Sequence, residues 1–387
     1  MRMSLNEGWV AAWGNAISIR VRRPENYGKN LTLRYPVTML FDGSALRITL
    51  DNFCGTQLVR LHHAFAAKSG RGSDIIPESN QEITFGGSPR VTLPVGGSVQ
   101  SDPIPLSFKR GERVSISLYF DDFTELRSAV NVTGPLSPGY FSVGDFAGSA
   151  QLPRDLTNST NWFYFLSGIE ARTDENNRAI VCYGDSITAQ AWPDFLMKRI
   201  LSEGDGTVAV VRKAASGTRI LRQYDNIVYD SYGLKGSTRF PHEVPVPGAD
   251  TVIIQQGIND IIHPVGVDVN PFRPWSDLPT LEELIDGMRR YIGWAKDYGM
   301  QVYLGTLLPI EGWRTYAPFR EKLRQGFNDW IRTTKEADGC IDFDLALRDP
   351  EHPTAFAEGF DSGDHLHPST KAYERMAAEV PKELLRR

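Results

Sequence analysis

The 387-residue sequence has few cysteines, no long apolar run and no excess of positive charge. Its three cysteines, Cys54, Cys182 and Cys340, are an odd and sparse set. The last two lie in or beside apolar strand-like runs, where a small thiol is expected to pack. No run is long enough to span a bilayer. Lys and Arg total 42 against 47 Asp and Glu, and a formal net charge of −5 argues against a nucleic acid as the main ligand.

The N-terminal residues 1–7 also lack the apolar core of a signal peptide. We therefore expect a cytoplasmic protein with no membrane partner. A chain of this length is typical of two domains, and either half is long enough to bury a core of its own.

The first part of the chain consists of short runs in which apolar and polar residues alternate, as in 46–50 and 114–120. Alternation with period two, interrupted by Gly, Pro, Asn and Asp, predicts an antiparallel, jelly-roll-like β-sandwich over residues 1–172. The segment 134–161, rich in Pro, Gly, Ser and Thr, is predicted to be a long connection between domains. The aromatic run 162–166 is predicted to be a strand that closes the first domain or packs at its interface.

From residue 179 onward, apolar strand-like runs alternate with helix-like segments, which predicts a parallel sheet with helices on both faces. We expect a flavodoxin-like α/β domain with five parallel strands over residues 173–387, with its site at the carboxyl edge of the sheet. The predicted strands are 178–183, 207–211, 251–255, 302–306 and 340–343, and the predicted helices are 191–203, one that begins with a capping box at Thr280, 320–335 and 369–385.

Candidate functional residues follow three of these strands, and two more lie in the last loop. Ser186 closes a Gly-Asp-Ser tripeptide after the first strand, Gly217 follows the second, and Asn259 follows the third. Asp364 and His367 lie in the last loop. A serine hydroxyl needs a base to remove its proton, an imidazole can do this, and a carboxylate can orient the imidazole. These residue types therefore predict a serine hydrolase.

Each residue taken alone has an ordinary structural interpretation. Ser186 can be a helix N-cap, and Asn259 can be another cap after a strand. Gly217 can be a turn glycine. The hydrolase prediction depends on all of them occurring together, each beyond the end of a predicted strand or in the final loop.

The four blocks in this order resemble the SGNH/GDSL hydrolase superfamily over roughly the last two hundred residues. The resemblance implies that Ser186 is the nucleophile, His367 the base and Asp364 the carboxylate that orients it. It also implies an oxyanion hole formed by the backbone N–H groups of Ser186 and Gly217 and by the side chain of Asn259.

One position departs from the pattern of that superfamily, and one alternative chemistry stays open. Ala214 stands where the second block usually has an earlier glycine, so the local loop geometry can differ, although Gly217 is retained. The implied reaction needs no cofactor and no metal. In the alternative, His365 and His367 with Asp364 hold a zinc ion, but the other histidines are scattered and do not reinforce it.

The substrate depends on loops that the motifs do not specify. The loops 263–279 and 308–318 combine tryptophan with charged residues, which suits stacking on a sugar ring and hydrogen bonds to its hydroxyls. Packing of these aromatic residues onto the neighbouring domain is an equal alternative. Asp185, Trp275 and Trp313 are the candidate substrate contacts.

Mixed polarity in these loops is unlike the apolar lid of a lipase, and superfamily members with an added β-sandwich resemble carbohydrate esterases. The leading hypothesis is therefore O-deacetylation of oligosaccharides. A general short-chain esterase or lysophospholipase is the first alternative, and a carbohydrate-binding protein with a vestigial hydrolase domain is the second. The β-sandwich is expected to shape the rim of the site or to form a homo-oligomer interface.

Overall fold

The computed structural model describes residues 8–19, 27–223, 233–263 and 275–387. The first part of the chain folds into antiparallel β-structure. A 3₁₀ turn covers Pro77–Ser79. The strands of this part are β1 (Trp9–Gly14), β2 (Ser18–Ile19), β3 (Tyr27–Gly28), β4 (Leu31–Thr38), β5 (Ala45–Asp51), β6 (Val59–Leu61), β7 (His63–Lys68), β8 (Gln81–Ile83), β9 (Val91–Leu93), β10 (Ser98–Gln100), β11 (Arg113–Phe120), β12 (Thr124–Glu125), β13 (Ser128–Asn131), β14 (Gly139–Val143), β15 (Thr157–Thr160), β16 (Trp162–Tyr164) and β17 (Leu166–Arg172).

Two larger antiparallel sheets share one apolar core. Among the described strands, one sheet has the order β1-β17-β5-β10 and the other β15-β14-β4-β11-β7-β8. Alternate residues of β5 and of β11, such as Ile48 and Ile116, are fully buried and meet in that core. The expected antiparallel β-structure of this part is confirmed, and its physical basis is the period-two pattern of apolar residues.

The predicted connection over residues 134–161 is wrong, because this segment contains two strands of the larger sheet. β14 pairs with β4, so that Phe141 lies opposite Leu33, and β15 pairs with β14. The segment is rich in Pro, Gly and Ser because these residues form the turns around β14 and β15. Its composition therefore indicated a loop although it contains two strands. The predicted aromatic strand is present as β16, which continues into β17.

The rest of the chain alternates strands with helices. Its elements are β18 (Arg178–Gly184), α1 (Ser186–Ala189), α2 (Trp192–Glu203), β19 (Val208–Ala214), α3 (Gly236–Glu243), β20 (Ala249–Gln255), α4 (Ile258–Ile262), α5 (Leu281–Asp297), β21 (Gln301–Gly305), α6 (Pro318–Thr333), β22 (Gly339–Ile341), α7 (Phe343–Leu347) and α8 (Thr370–Glu379), with 3₁₀ turns at Trp275–Asp277 and Lys382–Leu385. All strands of this sheet are parallel, in the order β19-β18-β20-β21-β22. This is the flavodoxin-like order, and the predicted fold class is confirmed.

Helix boundaries follow local signals closely. The capping box is present at the start of α5, where Thr280 and Glu283 exchange side-chain and backbone hydrogen bonds. α8 ends at Glu379, earlier than predicted, because Pro381 follows and cannot continue the helix. Within the described residues, no helix is both long enough and apolar enough to cross a membrane.

The two parts pack directly against each other. The predicted boundary after residue 172 falls in the turn between β17 and β18. Ala11 of β1 belongs to the core of the α/β part, and Ala209 of β19 belongs to the core of the sandwich. The division into residues 1–172 and 173–387 stays a proposal about folding units.

Candidate active site

Ser186 begins α1, immediately beyond the carboxyl end of β18, a central strand of the parallel sheet. A Cβ atom at Gly184 would collide with the Gln255 carbonyl and the Thr188 side chain, so only glycine fits where β18 and β20 end together. Asp185 is the N-cap of α1, and its carboxylate accepts a hydrogen bond from Ile187 N. The tight strand-to-helix turn is therefore specified by the residues that flank the serine.

The three residues predicted as a triad form one hydrogen-bonded chain. Ser186 Oγ lies 2.9 Å from His367 Nε2. His367 Nδ1 lies 2.7 Å from Asp364 Oδ2. A carboxylate can only accept, so Nδ1 carries the proton and Nε2 is the acceptor that faces the serine hydroxyl. In this tautomer the imidazole can remove the proton from Ser186.

The loop that carries His367 is closed by hydrogen bonds of its own. Asp364 Oδ1 accepts from the backbone N–H groups of Leu366 and His367, at 3.0 and 2.8 Å. Ser362 N donates to His367 O at 3.0 Å. These bonds fix the carboxylate and the imidazole relative to each other before any substrate binds.

The environment of Asp364 favours its charged form. Burial opposes ionisation, but hydrogen bonds from the ring and the backbone of His367 outweigh it and hold the pKa of Asp364 below its ordinary value. The carboxylate is therefore charged at neutral pH and stabilises an imidazolium on His367.

Besides Ser186, the predicted oxyanion donors are Gly217 and Asn259, which lie beyond β19 and β20. Gly217 has a φ of +75°, which favours glycine. Asn259, on α4, is buried and donates from Nδ2 to the carbonyl of Thr218, the residue after Gly217, at 3.2 Å. The amide of Asn259 and the Gly217 turn are therefore held together beside the end of β18.

Asp260 holds the loop after β19 that carries Gly217, and this role was not predicted from the sequence. Its carboxylate accepts from the N–H groups of Ile220 and Leu221, at 2.8 and 3.0 Å. Burial raises the pKa of Asp260 to about 6. The signal was present in the sequence as the acidic residue directly after Asn259, but its role required the fold.

Asp185 does not lie where a substrate contact would be. Its side chain is completely buried, one oxygen accepts from Ile187 N at 3.0 Å, and the other has no hydrogen-bond partner among the described residues. Burial raises its pKa to about 7. The predicted contact between Asp185 and substrate therefore has no exposed surface through which to occur.

The two predicted tryptophans have different environments. Trp275 is 58% exposed, and its ring meets Phe319 edge to face at 5.7 Å. Trp313 is half-buried against the α/β core, and the Arg314 guanidinium lies 4.7 Å from its ring centroid. Of the two rings, Trp275 is the one with an open face. Phe272 and Arg273, in the same predicted loop as Trp275, lie outside the described residues.

Each of the two histidines in the last loop, His365 and His367, has a carboxylate beside its Nδ1 atom. His367 is bonded as described above, and His365 Nδ1 lies 2.6 Å from Asp361 Oδ2. His365 has a φ of +61°, and its ring packs over Gly312 in the loop before α6. In the part of the chain that the structure describes, no three His, Cys, Asp or Glu residues are grouped so as to hold a metal ion.

Two clefts formed by the described residues lie away from this site. A cleft of about 880 Å³ lies at the opposite edge of the parallel sheet, near Lys109, Asn176 and Thr207. A smaller cavity of about 170 Å³ lies between the two parts of the chain, near Trp13 and Lys213. Neither contains the serine, histidine and carboxylate chain, and we assign the site by its chemistry.

Comparison with known proteins matches the α/β part of the chain. The family model described as GDSL-like lipase/acylhydrolase matches residues 180–380. No curated protein sequence matches.

Solved structures similar to this chain include three hydrolases. A lipase/acylhydrolase from Enterococcus faecalis is 22% identical, with a TM-score of 0.40, over 54% of this chain and 95% of its own. A carbohydrate acetylesterase from Sinorhizobium meliloti is 16% identical, with a TM-score of 0.38, over 53% of this chain and 96% of its own. A catalytic mutant of an acetylxylan esterase from Geobacillus stearothermophilus is 18% identical, with a TM-score of 0.38, over 54% of this chain and 94% of its own. Because the family model spans more than half of the 387 residues, the chain belongs to the GDSL-like lipase/acylhydrolase family.

Proposed function

We propose that this protein is a serine esterase that hydrolyses O-acyl esters through Ser186, His367 and Asp364. The single observation that carries the proposal is the chain of hydrogen bonds from Ser186 Oγ to His367 Nε2 at 2.9 Å and from Nδ1 to Asp364 at 2.7 Å. Its geometry is that of a nucleophile with its base and an orienting carboxylate.

In the proposed reaction, Ser186 Oγ attacks the ester carbonyl while its proton passes to His367 Nε2. The tetrahedral intermediate collapses, the C–O bond to the alcohol breaks, and the imidazolium protonates the leaving alkoxide. A water molecule then attacks the acyl-enzyme, with His367 again as the base. The carboxylic acid leaves, and Ser186 regains its proton.

Three donors would stabilise the negative oxygen of both intermediates: the N–H groups of Ser186 and Gly217 and the amide of Asn259. One N–H of that amide is bonded to Thr218 O, which orients the second. Each such donor typically contributes about 3 to 4 kcal/mol to transition-state stabilisation.

For the substrate, we propose acetyl esters of oligosaccharides. The exposed ring of Trp275 supports this choice, because a flat aromatic face can stack on a sugar ring. Charged Glu311 and Arg314 flank Trp313 and can bind hydroxyl groups, whereas an acyl chain would favour an apolar surface.

The test measures acetate release from acetylated xylo- and manno-oligosaccharides, in parallel with hydrolysis of aryl acetates and lysophospholipids. Ser186→Ala should lower kcat at least about 10⁴-fold on every ester, because the nucleophile is absent. The exposed Ser202→Ala on α2 is the matched control and should keep full activity.

Each other outcome contradicts a specific part of the proposal. Turnover that survives Ser186→Ala would remove the serine mechanism. Cleavage of aryl or lipid esters only would remove the sugar substrate: an optimum at short acyl chains would indicate a general short-chain esterase, and an optimum at long acyl chains would indicate a lysophospholipase. Glycan binding without turnover of any ester would indicate a vestigial hydrolase.

A further inference from the structure

Helix α3 lies between the N-terminal sandwich and the loop after β19 that carries Gly217, residues 215–221, which we call the oxyanion loop. Its first residue, Gly236, donates from N to the carbonyl of Arg219 at 2.7 Å and accepts at O from Tyr183 Oη at 2.9 Å. Arg239 and Glu243, one turn apart, are almost completely buried. Two charges removed from water in this way must be paired and fully bonded to be tolerated.

The Arg239 guanidinium bonds to the segments that carry the catalytic groups. Nη1 lies 3.0 Å from Thr218 Oγ1, next to Gly217, and 3.4 Å from the carbonyl of Gly184, two residues before Ser186. Nη2 lies 3.0 Å from Lys213 O, near the end of β19. The planar guanidinium of Arg239 therefore bonds to three places at once: the end of β18, the end of β19 and the oxyanion loop.

The other end of this cluster contacts the sandwich. Glu243 Oε2 lies 2.6 Å from Arg239 Nη2, and Oε1 accepts from Ile17 N at 3.3 Å. Lys213 Nζ donates to the carbonyls of Asn15 and Ser167, each at 2.8 Å. The backbone of the sandwich thus bonds directly to the side chains of Glu243 and Lys213. These two residues in turn hold Arg239, Glu243 through its carboxylate and Lys213 through its backbone carbonyl.

We propose that Arg239 is a positioning residue for catalysis, which holds the oxyanion loop against the nucleophile strand and is itself anchored to the N-terminal sandwich through Glu243 and Lys213. The proposal rests on the serine esterase function above. It makes the sandwich part of the catalytic scaffold, since the N–H of Gly217 must be placed within fractions of an ångström of the developing oxyanion.

The direct test is Arg239→Lys, which keeps the positive charge but loses the fork that reaches several acceptors at once. On an aryl acetate, kcat should fall about 10- to 100-fold with little change in KM, because ground-state binding does not need the oxyanion hole. The labelling rate of Ser186 by a fluorophosphonate, followed by mass spectrometry, should fall in parallel, since its phosphoryl oxygen uses the same donors.

The matched control is Arg178→Lys. Arg178 begins β18, the strand that Gly184 ends, and it likewise bonds a carboxylate, Asp250, and backbone carbonyls, but at the opposite edge of the sheet. This variant should lower the melting temperature and leave kcat and labelling unchanged. If Arg239→Lys changed only the melting temperature, as Arg178→Lys does, the role of Arg239 would be structural and the proposal would be overturned.

A second variant tests the proposal if Arg239→Lys does not fold. Thr218→Val keeps the side-chain volume and removes the hydroxyl that accepts from Arg239 and donates to Ala215 O. It should lower kcat in the same way, and Thr218→Ser, which restores the hydroxyl, should recover the rate. Normal kcat and labelling in Thr218→Val would then overturn the proposal. Failure of the esterase function itself is distinct, because it appears in the wild-type protein as absent ester turnover and absent labelling of Ser186.

Discussion

At the scale of single residues, two acidic residues stand directly beside members of the candidate site and shape its local structure. Asp185 precedes Ser186, and Asp260 follows Asn259. Both carboxylates are buried and bond backbone N–H groups rather than solvent. Each therefore organises a turn of the candidate site, although burying a carboxyl group is itself unfavourable.

The pKa of Asp185 gives a prediction about pH and stability. Burial raises this pKa to about 7 from an ordinary value of 3.8, so the folded protein retains a proton that the unfolded chain releases. Ionisation of Asp185 is therefore unfavourable in the fold, and its contribution makes the free energy of unfolding fall as the pH rises from about 4 to 7.

Asp185→Asn removes this titration and keeps an oxygen to accept from Ile187 N. The stability of the variant relative to wild type should be near zero at pH 4 and should increase to at most about 4 kcal/mol at pH 8. Urea denaturation at both pH values measures the difference. If the difference in the free energy of unfolding between variant and wild type were the same at both pH values, the pKa of Asp185 would not be raised in the folded protein.

At the scale of elements, the predicted triad and oxyanion residues lie in short helices, as Ser186 does in α1 and Asn259 in α4, or in loops, as Gly217 and His367 do. Tyr291 of α5 shows how a distant helix takes part, because its hydroxyl donates to Ile220 O in the oxyanion loop at 2.9 Å. The capping box at Thr280 predicted where α5 begins. The contact to Ile220 did not follow from that signal.

Thr280→Ala tests the local signal at the start of α5. The change removes the oxygen that accepts from Glu283 N at 3.2 Å and exposes the first turn to fraying. The free energy of unfolding should fall by about 1 kcal/mol, whereas Thr280→Ser, which keeps the oxygen, should stay close to wild type. Chemical denaturation measures both, and an equal loss in the two variants would mean that the cap does not stabilise this helix.

At the scale of the whole molecule, buried polar groups hold the sandwich to the α/β part. Asp194 of α2 is fully buried and pairs with Arg212 of β19. Its carboxylate also accepts from Leu136 N at 2.7 Å and from the Ser137 hydroxyl at 3.0 Å, both in the loop before β14. One side chain therefore joins a sandwich loop to the helix that follows the nucleophile.

Asp194→Ala would leave Arg212 buried without its charged partner and release the loop. The free energy of unfolding should fall by about 3 to 5 kcal/mol, and both parts should unfold together at the lower midpoint. Glu203→Ala, which breaks the half-exposed pair with Arg199 on the same helix, should cost less than about 1 kcal/mol. Calorimetry together with an optical probe of unfolding measures the midpoints of both parts. A sandwich transition that does not move would show that the two parts are independent.

The sequence alone determined the parallel strands with their helices, the capping box of α5 and the residues of the candidate triad, because each depends on local periodicity or on a short motif. The prediction for residues 134–161 was wrong, since turn residues surround β14 and β15, and these strands form only because β14 pairs with β4 and β15 pairs with β14. The burial of Asp185 and the contacts of Asp260 and Arg239 were likewise not visible in the sequence. These depend on groups far apart in the chain that meet only when two cores pack against each other, and only the tertiary structure decided them.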